Sequence, residues 1–168
     1  TGHTAAAGYC MIATAKRDFP NLGAAGAPGS RRLVAIVLGA ASDSARANES
    51  QKLLNWGYTA FEAVKLFDAG QAVVSPAVWK GKSATVKLGR PQAIVVAIAA
   101  GSAAKVQTQV ARPDPLVAPF VKGQPLGTLK IMQGGEQPVL EIPLVALEAV
   151  EESGVLGRAW DSIRLWIK

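Results

Sequence analysis

The chain has 168 residues, 49% of them hydrophobic, enough for one ordinary domain or two small ones with a real core. Its single cysteine, Cys10, excludes an internal disulfide and any cysteine-based metal cluster. The net charge of +6 is spread along the chain, and no apolar run approaches the roughly 20 residues of a spanning helix. Lys80, Lys82 and Lys87 alternate with apolar residues rather than clustering with aromatics, so no nucleic-acid partner is implied.

In chain order, Thr4 to Ala15 and "LVAIVLGAA" (33–41) are small, apolar and partly β-branched, which predicts strands buried on two faces. The intervening "RDFPNLGAAGAPGSRR" lacks periodicity and is rich in Gly and Pro, so it reads as a long hairpin loop. The next stretch, "SDSARANESQKLLNWGYTAFE", reads as a helix on that sheet. Ser42, Asp43 and Asn48 all suit an N-cap, Asn48 and Gln51 have capping-box spacing, and Leu54 and Tyr58 lie one turn apart.

Past Glu62 the chain turns to short β-rich segments separated by Gly and Pro, which suggests a domain boundary there and a small sandwich or barrel beyond it. Candidate strands are "QAVVSPAVWKG", "ATVKLG", "AIVVAIAA", "KVQTQVA", "LGTLKIM" and "VLEIPLVAL". Gly134-Gly135 supplies the positive φ of a tight hairpin, and Pro143 makes the returning strand an edge or marks a bulge.

In the tail, Leu156, Trp160, Ile163, Trp166 and Ile167 fall with Val155 and Ala159 in an arc of roughly 140° at helical pitch. The opposite side is basic and polar. The pattern fits either a helix lying in a membrane interface or one docked on its own domain.

Two readings of the N-terminal "TGHTAAAGY" stand side by side. A threonine whose own α-amino group acts as base can be a nucleophile. Alternatively, "TGHTAAAGY" and the following "RRLVAIVLGAASDSARANESQKLLNWGY" closely resemble the low-molecular-mass penicillin-binding proteins, serine-type D-alanyl-D-alanine carboxypeptidases. The third active-site motif of that family is Lys-Thr-Gly on an edge strand, and Thr1 and Gly2 match its last two positions. Residues 62–150 match more weakly, through "AVWKG", "PLGTL" and "PLVAL", and the tail resembles the membrane-anchoring helix of the family.

The resemblance implies an α+β chain. Residues 1–61 would be the C-terminal part of a β-lactamase/transpeptidase-like domain, an antiparallel sheet plus helix. Residues 62–150 would be a small all-β, sandwich-like domain, and 151–168 an amphipathic helix on the periplasmic face of the bacterial inner membrane. It implies that the Thr1 hydroxyl contacts the terminal carboxylate of a peptidoglycan stem peptide and that Gly2 lets that peptide lie close. The His3 backbone N–H would be an oxyanion donor, and Arg46 would help hold the carboxylate. β-Lactam antibiotics would mimic the substrate, and neither metal nor organic cofactor is implied.

The Ser-x-x-Lys and Ser-x-Asn motifs of the family precede Lys-Thr-Gly, so the chain is expected to be a C-terminal portion, inactive without the N-terminal part of the same enzyme. Ser102 and Lys105 in "GSAAK" have the Ser-x-x-Lys spacing, but they follow the Thr-Gly pair in what reads as a turn, and they are rejected as nucleophile and base. The 19–30 loop is longer than the family hairpin would need. A non-catalytic β-rich interaction module near a membrane is the rival account.

Overall fold

The structure, a computed structural model, describes residues 1–22, 27–135 and 137–154. These form two compact units, Thr1–Lys65 with Val95–Ala104, and Leu66–Ile94 with the residues from Lys105 on. The described chain is mostly β-sheet with one α-helix.

In the first unit β1 (Gly2–Thr4), β2 (Gly8–Leu22) and β3 (Ala27–Ala40) make an antiparallel sheet in that order. The expected long loop is corrected: residues 17–22 and 27–32 are paired strand, from Arg17↔Arg31 to Leu22↔Ala27 with a register shift after Phe19. Backbone pairing extends past the apolar runs because ladder hydrogen bonds need no particular side chain.

Helix α1 (Asp43–Ala60) lies on one face of this sheet. Its N-cap is Ser42, whose Oγ accepts from the Ala45 N–H at 3.0 Å. Asn48 and Gln51 are inside the helix and form no capping box. The face turned to the sheet carries Arg46, Ser50, Leu54, Gly57 and Tyr58, one turn apart or nearly so. Small residues let the helix sit close: a Cβ at Gly57 would come within 2.8 Å of Leu33 Cδ1.

Pleat alternation sends Ala35, Leu33 and Ala13 toward α1 and Ile12, Val34, Ile36 and Leu38 to the opposite side. Those four are 60–73% exposed, so the strands are covered on one face, not two as their composition suggests. β4 (Phe61–Phe67) pairs with β8 (Ile94–Ala99), in which buried Ile94, Val96 and Ile98 alternate with exposed residues. Ala100 N–H also donates to the Ala60 carbonyl at 2.9 Å.

The second unit is built on a five-stranded sheet in the order β5 (Ala72–Val74), β7 (Leu88–Gly89), β12 (Pro138–Ala146), β11 (Pro125–Gln133), β9 (Val106–Ala111). A parallel pair, β6 (Val78–Trp79) and β10 (Leu116–Val117), accompanies it. Leu88, Leu129, Ile131 and Leu144 are wholly buried, each contributing about 1.5–3 kcal/mol of apolar burial.

The β11–β12 hairpin forms as expected, with Gly134 at φ +70. Pro143 sits in an interior strand by sheet order, yet β7 pairs β12 only at Val145 and Ala146. At Pro143 the strand therefore has β11 alone beside it, and the missing N–H breaks no bond to β7. The predicted terminal helix, with Leu156, Trp160, Ile163, Trp166 and Ile167, lies outside the described residues.

Candidate functional site

The N-terminal residues singled out from sequence converge on one edge of the first unit. β1 is a three-residue edge strand with β2 as its neighbour, in the register Gly2↔Cys10, His3↔Tyr9, Thr4↔Gly8. The turn into β2 is closed by Gly8 at φ +65, where a Cβ would come within 3.0 Å of Gly39 Cα, and by the Thr4 hydroxyl, which accepts from the Ala7 N–H at 3.0 Å. Thr4 thus shapes the turn. Thr1, Gly2 and His3 are all exposed.

The first turn of α1 reaches this edge through Arg46. Its Nη1 donates to the carbonyls of Gly2, at 3.0 Å, and Cys10, at 3.2 Å, while Nη2 pairs with the Asp43 carboxylate. One guanidinium therefore ties together both members of the Gly2↔Cys10 pair and the helix start. The Arg46 side chain is only 15% exposed, so its orientation is set by the protein. These contacts engage three of the five N–H donors of the guanidinium.

Two residues to which the sequence reading gave no role at this site complete the arrangement. The Tyr9 ring lies 3.9 Å from the His3 ring, centroid to centroid, tilted by 31°, and the Arg46 guanidinium carbon is 5.5 Å from its centroid. Asp43 is the second; its i,i+3 spacing from Arg46 was readable once Ser42 was known to be the cap. The Tyr9 pairing depends on the turn geometry at Gly8, which no local signal in the sequence specified.

At Gly2 a side chain would meet nothing within 4 Å. Internal packing therefore does not dictate glycine there, and the space above the strand is open. An exposed strand edge presents backbone donors and acceptors to which an extended peptide can add, and a cation fixed beside it favours a peptide that ends in a carboxylate. Ser102 and Lys105 are remote in kind from this arrangement: Ser102 follows the β8 turn, and Lys105 closes a short 3-10 turn, Ala103–Lys105.

The C-terminal domain of penicillin-binding protein 5 is the family whose sequence profile matches this chain, over residues 61–152. Among curated proteins, the D-alanyl-D-alanine carboxypeptidase DacC of Escherichia coli K12 is 37% identical over 166 residues, covering 98% of this chain and 38% of that protein. The D-alanyl-D-alanine carboxypeptidase DacA of Haemophilus influenzae is 32% identical over 169 residues, covering 100% of this chain and 40% of that protein. The crystal structure of penicillin binding protein 5 from Haemophilus influenzae superposes with a TM-score of 0.76 at 30% identity, over 90% of this chain and 41% of that one. The chain thus spans about two fifths of the length of the relatives it matches.

Proposed function

The chain belongs to the penicillin-binding protein 5 family, and on that premise we propose that its full-length protein is a serine-type D-alanyl-D-alanine carboxypeptidase. It removes the terminal D-alanine from peptidoglycan stem pentapeptides: a serine attacks the penultimate carbonyl, D-alanine leaves, and water hydrolyses the resulting ester. Penicillins acylate the same serine. Residues 1–61 act as the C-terminal part of the transpeptidase-like catalytic domain, 62–150 as a β-rich domain, and 151–168 as an amphipathic helix that holds the protein to the outer face of the inner membrane in the periplasm. The serine, lysine and second motif come from the rest of the full-length protein, so these 168 residues are inactive alone.

The observation that carries this reading is the edge strand itself, with Gly2 open to solvent and Arg46 fixed on its carbonyl. Substrate adds along β1. The Thr1 hydroxyl and the uncommitted N–H donors of Arg46 receive its terminal carboxylate, and the His3 N–H faces the oxyanion of the tetrahedral intermediate, a donor of a kind worth about 3 kcal/mol. The bare apolar face of β2 and β3 supports the same reading, because a surface carrying Ile12, Val34, Ile36 and Leu38 fits a domain completed by further chain. A groove of about 390 Å³ beside Leu33, Leu53, Trp56 and Phe61 adds to that uncovered surface.

Release of D-alanine from a pentapeptide ending in D-Ala-D-Ala tests the site in the full-length protein. Arg46→Ala and Thr1→Val each lower kcat/KM; for Arg46 the loss is roughly ten- to hundredfold, as expected for a hydrogen bond to a charged group. Unchanged turnover in both variants would remove these residues from the site.

A further inference from the structure

The aromatic ring of Tyr9 touches a side chain from each element of the site, His3 of β1 and Arg46 of α1. Its neighbour across the β1–β2 ladder is His3, and the two rings are in contact, 3.9 Å apart between centroids and tilted by 31°. The Arg46 guanidinium, arriving from α1, lies 5.5 Å from the same ring, within cation–π range. The backbone on either side of Tyr9 is bound as well: Cys10 next to it gives its carbonyl to Arg46, and Gly8 before it makes the turn.

β1 needs such support. It has three residues, all exposed, and its ladder to β2 is only three pairs long. A strand that short contributes little stability of its own. Arg46 fixes the strand at Gly2, one residue before His3, and the short ladder to β2 is its other backbone tie. The Tyr9 ring against His3 adds a side-chain contact to these backbone ties, at the residue whose N–H is the proposed oxyanion donor.

We infer that Tyr9 is a positioning residue of the carboxypeptidase site: its ring sets the pitch of β1 at His3 and the heading of the Arg46 guanidinium, and so aligns the oxyanion donor with the carboxylate-binding cation. The inference rests on the carboxypeptidase reading. It depends on an aromatic face and not on the phenol hydroxyl, because both contacts are made by the ring.

The test is the second-order rate of acylation by a fluorescent penicillin, measured on the full-length protein together with its thermal midpoint. Tyr9→Phe keeps the rate within about twofold of wild type. Tyr9→Leu fills comparable space without a ring and slows acylation by about tenfold or more, with a midpoint close to that of Tyr9→Phe. Should Tyr9→Leu fail to fold, Tyr9→Met is read in its place with the same expectation. Equal rates for the Phe and Leu (or Met) variants would overturn the inference, as would an equal loss in both. A wild-type protein that forms no adduct overturns the carboxypeptidase reading and this inference with it, whereas adduct formation indifferent to the ring overturns the inference alone.

Discussion

Two arginines hold the ends of α1 in ways that composition does not suggest. Arg46 joins the first turn to β1, and Arg31 reaches from β3 to the last turn, donating to the carbonyls of Phe61 at 2.7 Å and of Gly57 and Tyr58 at 3.3 Å. The helix has no basic residue of its own in its last turn, so Arg31 supplies the cation that this end favours. Arg17 and Arg31 oppose each other across the ladder, a like-charge pair that would repel. Both lie over the Tyr58 ring, at 4.3 and 5.1 Å, which offsets that repulsion. In the second unit, the exposed Lys82 donates to Glu151 at 2.5 Å; this hydrogen bond, and then the charge of Lys82, hold the Glu151 carboxyl below its ordinary value. A depressed carboxyl contributes stability above the ordinary carboxylate range and loses it as pH falls through the lowered value. Lys82→Met should therefore return the Glu151 titration, followed by carboxyl NMR, to the usual range. The midpoint at neutral pH should scarcely move, since an exposed pair is worth little. Arg46 was recognisable in the sequence through its place in "SDSARANESQKLLNWGY", while Tyr9 was hidden because its partner is set by a turn and not by spacing.

At the level of elements, apolar periodicity located most of the strands and the helix but not their ends. The continuous apolar run 33–38 marks a strand, yet it cannot say whether the second face is covered, since Val34, Ile36 and Leu38 read alike inside or out. Arg17–Leu22 and Ala27–Arg32 carry Pro, Gly and charge, which suppress every strand signal, although their backbones pair. β4 and β10 show the other difficulty: β10 is two residues long, and Phe61–Phe67 runs straight on from the helical pattern. The helix start offered three caps by composition, and the structure uses one. Ser42→Ala should cost about 1 kcal/mol in denaturant unfolding, whereas Asn48→Ala, in the helix body, should be neutral or slightly stabilising. A larger loss at Asn48 than at Ser42 would contradict the observed cap.

For the molecule as a whole, the described chain is a mostly-β pair of units with one helix, and it belongs to a family whose relatives are about two and a half times its length. The apolar surface of β2 and β3 and the exposed Leu53 and Trp56 of α1 make sense if further polypeptide covers them, and the reading of β1 as a substrate edge requires that polypeptide to bring a nucleophile to it. The most direct measurement is covalent labelling by a fluorescent penicillin, run in parallel on the full-length protein and on these 168 residues alone. The account predicts one stable adduct per full-length molecule and none on the isolated chain. An unlabelled full-length protein, or a label on the isolated chain, would contradict it.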